Sequence, residues 1–217
     1  MKNLLMKECR LAALPLTYVF VAFGLMSFLP GYPILLGAFF VCLGLFQTFQ
    51  TAREANDLLY TALLPIKKTD AVKARCLFCA FIELSAFLLA AACTLVRMIA
   101  LPDAAAYRTN PMMNANLIYL GFLLLIYGCF NAVFVRGFFK TGGDLLKPFL
   151  TAGLLIFLIV AAGEALHHFP ALAWANTRGF DRLGAQGALL AAGALLFALL
   201  TALGEKSAEK AFEKIDL

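Results

Sequence analysis

REANDLLYTALLPIKKTDAVKAR, residues 53–75, is the one long polar interval in the first half of a very apolar chain. Read as a helix, its first part is amphipathic. Ala55, Leu58, Leu59, Ala62 and Leu63 follow the i, i+3, i+4, i+7, i+8 rule and share one face. Arg53, Glu54, Asp57, Tyr60 and Thr61 fall largely on the other. Pro65 ends the run, because the residue before a proline is pushed out of helical geometry and proline has no N–H to give. Thr69 is placed to cap a new helix, with Asp70 in its first turn against the positive end of the dipole. The stretch therefore predicts a short helix lying flat, a proline break and a fresh long helix.

The composition on either side says where this helix lies. The 217 residues are 63% apolar and 14% charged, with a mean hydropathy of +0.86. Soluble domains carry about 45–50% apolar and about 25% charged residues. A hydrocarbon core roughly 30 Å thick needs about 20 apolar residues per helical crossing. Backbone groups cannot be left unpaired in lipid, so the choice is helices or a closed barrel. The apolar runs are long and do not alternate, which excludes a barrel. The predicted class is all-α: one polytopic transmembrane domain over 1–217.

Residues 1–13 read as a cytoplasmic lead-in, with Leu4, Leu5 and Leu11 placed to lie on a membrane surface. No small-residue cleavage pattern follows the first apolar run, so a cleaved signal peptide is not expected. Six crossings are predicted, at about 14–29, 34–51, 70–100, 114–135, 148–165 and 184–204. PGYP (30–33) and TGGD (141–144) are turns. The tail 205–217 reads as a charged helical continuation, where Lys206–Glu209 and Lys210–Glu213 have ion-pair spacing.

Basic residues orient the layout. One side holds Lys2, Lys7, Arg10, Arg53, Lys67, Lys68, Lys73, Arg75, Arg136, Lys140, Lys147, Lys206, Lys210 and Lys214. Of the 18 basic residues, only Arg97, Arg108, Arg178 and Arg182 remain for the other. By the positive-inside rule both termini and the 53–69 loop are cytoplasmic. The net charge of +5 is then topological, and no basic–aromatic surface points to nucleic acid. Between the last two crossings, EALHHFPALAWANTRGFDRLGAQG (164–187) mixes aromatic, basic and acidic residues in the manner of a membrane interface. Pro170 splits it, which suggests two short pieces dipping into the outer leaflet.

Catalytic signatures are absent. No GxxxxGK[ST] occurs, so this chain should not hydrolyse ATP by itself. No HExxH, GxSxG or pair of carboxylates marks a hydrolase. Glu164, His167 and His168 have metal-ligand spacing on a helix but no third partner type, so an interfacial polar cluster is the plainer reading. None of the six cysteines falls in the outer loops, and the CxxC of Cys76 and Cys79 reads as small apolar filler. Glu83, well inside the third predicted crossing, costs at least about 2.5–3.5 kcal/mol to insert and so needs a partner or water. It and Asn131 are either lining groups of a pathway or hydrogen bonders between packed helices.

LPIKKTDAVKAR (64–75), preceded by Tyr60, resembles the small permeases of the type-2 ABC transporter family. There a tyrosine, an LP pair, basic residues and an acidic-Val-Lys stretch lead into the third membrane helix. The ending EKIDL (213–217) is similar to the acidic-basic ending of those permeases. Arg75–Cys76 stands where a Lys–Tyr pair is more usual.

The resemblance implies an exporter half without its motor, in the inner or plasma membrane. A separate ATPase subunit, which binds the ATP and Mg, would dock from the cytoplasm. Two permease chains, identical or different, would form the pathway. The coupling helix would then lie at about 54–64. Its ATPase-facing residues would be Glu54, Asp57, Leu58, Leu59, Tyr60, Leu63, Leu64 and Pro65, docked as a helix in a groove. The substrate class would be amphipathic or hydrophobic. The rival class is a non-transporting membrane scaffold or assembly factor that recruits a soluble partner through the same loop. An intramembrane enzyme would require Glu83, Glu164 and His168 to meet in one pocket.

Overall fold

The computed structural model describes residues 2–215, without the side chains of Lys2 and Ala62. Lys2 of the basic tally, Ala62 of the predicted apolar face, and Asp216 and Leu217 of the ending EKIDL therefore lie outside the described residues, in whole or in side chain. Among the described residues every regular element is helical.

The chain opens with α1 (Lys2–Lys7), continued by a π turn over Glu8–Ala12. α2 (Pro15–Phe20) follows, with proline in its first turn and a 3-10 continuation, Val21–Phe28. The lead-in Asn3–Ala12 is bent by 93° from Pro15–Phe28. α3 (Leu36–Glu54) and α4 (Asp57–Leu63) are joined through Asn56, whose φ of 52° is left-handed. Asparagine is one of the few residues that visits this region routinely. α5 (Lys68–Ala100) is the longest helix, and a short α6 (Ala105–Arg108) follows it. At 33 residues α5 is about 50 Å long, against a core of about 30 Å. α7 (Leu117–Phe130) runs through a π turn, Asn131–Val135, into α8 (Arg136–Lys140). α9 (Leu146–Leu166), a 3-10 segment (Pro170–Asn176) and α10 (Leu183–Phe212) complete the chain.

Four of these elements are long and apolar enough to cross a membrane: α5, the continuous Leu117–Lys140, α9 and α10. The bent pair at the N-terminus makes a fifth if it counts as one span. The remaining predicted crossing, the second (34–51), is the continuous helix α3, which falls short in apolar character. Its last two turns carry Gln47, Thr48, Gln50, Thr51, Arg53 and Glu54. The tail is helical as expected, since α10 runs on to Phe212. Neither predicted tail ion pair forms among the described residues. Glu209 turns toward α5 and meets Lys73 at 3.5 Å.

α7 is the central helix. In its apolar window 72% of residues are buried, against 22% in α9 and 11% in α10, so the last two present most of their leucines outward. Small residues let α10 close on α7. A Cβ on Gly193 would run into the Gly121 carbonyl oxygen, and one on Gly204 would stand 3.1 Å from the Ala132 Cα. Such backbone approach is how membrane helices gain packing without a hydrophobic drive between them. Gly193→Val is therefore expected to lose about 3 kcal/mol by overpacking and to lower the melting temperature in detergent by roughly 6–12 °C. Gly187→Val, on the same helix with open space around it, should leave melting unchanged.

Candidate coupling surface and polar clusters

α4 ends where the sequence places its end. Leu64 is extended (φ −76°, ψ 151°) and Pro65 follows. Two boundary expectations are corrected. Glu54 belongs to the last turn of α3, where it accepts from Gln50 Nε2 at 3.2 Å, because the left-handed Asn56 separates α3 from α4. Thr69 does not cap α5. That helix starts two residues earlier, with Lys67 at the cap position and no side-chain cap, while Asp70 sits in the first turn as expected.

The polar side of α4 faces the protein. Asp57 Oδ1 lies 2.6 Å from Lys7 Nζ, and its Oδ2 accepts from Arg75 Nη2 at 2.7 Å. Arg75 Nε reaches Glu8 Oε2 at 2.5 Å, and Lys7 Nζ donates to Thr61 Oγ1 at 2.8 Å. The guanidinium also lies 5.2 Å from the ring centre of Phe49. Two cations and two carboxylates thus join the lead-in, α4 and the start of α5. Arg75 and Glu8 are both buried, with side chains 4% and 5% exposed. A buried ion pair offsets its desolvation only when geometry and further hydrogen bonds are good; here Arg75 Nη2 bonds Asp57, while among the described residues Arg75 Nη1 has no hydrogen-bond partner. The sequence signal was faint: Arg75 counted only as one more cytoplasmic cation and as the departure from a Lys–Tyr pair.

The opposite side of α4 is apolar and uncovered. Leu59 is 47% exposed and Leu63 75%; Tyr60, placed by spacing with Asp57 and Thr61, is instead 66% exposed beside these leucines, and Leu64, just past the end of α4, is 48% exposed. Leu58 is the exception, half-buried and directed at the 141–144 turn, where its Cδ1 would stand 3.6 Å from a Cβ on Gly143. The usual sense of an amphipathic surface helix, apolar in and polar out, is reversed.

Glu83 and Asn131 meet. Asn131 Nδ2 donates to Glu83 Oε2 at 2.8 Å and to Thr201 Oγ1 at 3.1 Å. The contact ties α5, the π turn after α7, and α10 together inside the bundle. Single-turn π bulges are frequent at functional positions. Glu164 stands elsewhere: its Oε2 accepts the Met113 N–H at 2.8 Å, and His167 Nε2 lies 3.0 Å from the Pro111 carbonyl. Both tie the end of α9 to the 102–116 region. Glu83 and Glu164 have different partners and form no common set.

Between the end of α9 and the start of α10, the 164–187 segment holds one 3-10 piece, Pro170–Asn176, where two short pieces were expected. Amides left out of the sequence reading hold it down. Asn114 N donates to Asn176 Oδ1 at 2.6 Å, and Asn116 Nδ2 donates to the Ala175 carbonyl at 2.9 Å. Asn116 also caps α7, accepting from Tyr119 N at 3.0 Å. Gln186 Nε2 reaches the Asp181 carbonyl at 2.7 Å. Arg97 is buried below, donating to the Ser27 carbonyl and lying 3.8 Å from the Tyr107 ring centre. The closely spaced Asn114 and Asn116 before an apolar run were the available sign, since asparagine prefers helix starts.

The family model described as ABC-2 family transporter protein matches residues 1–202. The chain belongs to this family. Comparison with curated proteins and with solved structures gives no match. The ABC-2 match covers the lead-in, α4, the ionic cluster and the Glu83–Asn131 contact, and stops within α10. This ABC-2 chain is a multi-pass membrane protein and the membrane component of a transporter.

Proposed function

We propose that the chain is the permease subunit of an ATP-driven exporter, one transmembrane domain with six crossings and both termini cytoplasmic. The crossings are α2 with its 3-10 continuation, α3, α5, α7 with α8, α9 and α10. The distribution of basic residues supports this orientation. A separate ATPase subunit binds ATP and Mg and docks on α4. Leu59, Tyr60, Leu63 and Leu64 enter its groove, Asp57 anchors the helix from behind, Leu58 seats it, Pro65 ends it, and Glu54 stands at its entry. A second permease chain, the same or another, completes the pathway, toward which Glu83 and Asn131 contribute polar groups.

One observation carries this reading: a short helix presents apolar side chains outward while ion pairs clamp its other side to two further elements. Force applied to such a helix reaches α5 directly through Arg75. A Cys in place of Leu63 is expected to cross-link, in membranes from the native host, to a soluble subunit with a P-loop. A cross-link to a protein without a P-loop would favour the scaffold reading. No cross-link from either Leu59→Cys or Leu63→Cys would remove the docking assignment.

A further inference from the structure

Between α8 and the end of α10 lies a groove of about 430 Å³, lined by Arg136, Lys140, Ser207, Lys210 and Lys214, with Ala211 and Ile215 beneath. The four cations are exposed. Among the described residues no carboxylate stands within 4 Å of any of them. Like charges gathered without counter-ions repel one another unless an anion sits between them.

The same face of α10 continues along the apolar part of the helix as exposed leucine. Leu196, Leu199, Leu203, Ser207, Lys210 and Lys214 follow one another at helical spacings of three and four. Leu203 is 56% exposed, Leu199 55% and Leu196 41%. From Ser207 to Leu196 the helix rises about 16 Å, roughly one leaflet of a 30 Å hydrocarbon core. A cationic groove at the membrane edge thus stands at the foot of an apolar stripe one acyl layer long. A free anion would use the cations and leave the stripe idle. A soluble acidic partner could not reach the stripe.

The geometry points to a binding site for an anionic phospholipid, with its phosphate-bearing headgroup between Arg136, Lys140, Lys210 and Lys214 and an acyl chain along Leu203, Leu199 and Leu196. Basic pockets between membrane helices hold such headgroups by charge. Assigning the lipid to the cytoplasmic leaflet rests on the proposed orientation; the contact itself does not, and it needs no ATPase.

Native mass spectrometry of the purified full-length chain tests this, with phosphatidylglycerol and phosphatidylcholine of identical chains as probes. Phosphatidylglycerol should be retained at least tenfold better. Lys210→Gln with Lys214→Gln should lower its retention, roughly fivefold per cation removed, while Arg53→Gln with Lys67→Gln leaves it unchanged. Inorganic phosphate should not displace the lipid. Equal retention of the two lipids overturns the proposal, and this comparison needs only the unmodified protein. So does undiminished retention in the groove variant, or full displacement by inorganic phosphate, which would make the groove a free-anion site. A negative result here with an intact ATPase cross-link at Leu63→Cys would leave the coupling assignment standing.

Discussion

Leu59→Asp is expected to abolish the ATPase stimulation proposed for the assembled transporter, and Leu63→Asp to do the same. Leu63 is 75% exposed and Leu59 47%, and neither belongs to the buried core, so neither change should unfold the bundle. In a partner's groove the loss is large. Withdrawing one leucine from an apolar site forfeits about 1.5–3 kcal/mol. An aspartate in its place adds an unpaired charge, which together brings the loss to about 4 kcal/mol or more, roughly a thousandfold in affinity. The purified variants should insert and melt like the parent chain while failing to retain the ATPase on a column. Retained stimulation in both variants would place the coupling contact elsewhere. Leu58→Asp is the informative contrast: half-buried toward the 141–144 turn, it should disturb the fold as well.

Arg75→Ala is expected to destabilise the cytoplasmic end of the bundle by about 3–5 kcal/mol, the range for removing one member of a buried ion pair. Glu8 would keep only Lys7, at 3.4 Å, and both would remain largely out of water. Arg75→Lys keeps the charge but cannot span Glu8 and Asp57 with separate nitrogens, so it should recover only part of the loss. The combination Glu8→Gln, Asp57→Asn, Arg75→Met removes the charges together and should be more stable than Arg75→Ala alone. Melting curves in detergent order the four proteins. If Arg75→Ala melts like the parent, the cluster contributes nothing to holding α4, and force on that helix has no direct route into α5.

The two expectations differ in how they were reached. The apolar positions of α4 were legible because helical spacing and a proline stop are local properties. So was the length of α5, which only hydropathy and its flanks define. The crossings of α7, α9 and α10 were legible for the same reason, to within a few residues at each end. Glu54 was misplaced by the one backbone feature that spacing does not show, the left-handed turn at Asn56. Thr69 was misplaced because a plausible cap residue stood two positions after the observed cap, Lys67. The amides that pin the 170–182 region went unread, since their partners are backbone carbonyls some 60 residues away.

By itself the sequence determined that this is a helical membrane chain, about where its helices run, and that Leu59 and Leu63 of α4 share a face. Hydropathy, periodicity and proline act over a few residues and need no partner. Which face of α4 turns inward was decided only by the tertiary structure. Asp57 and Thr61 point in because folding brings Lys7, Glu8 and Arg75 to them from two other segments. At the edge of a bilayer, burial alone favours neither sense, and the balance falls to the charges that the fold assembles.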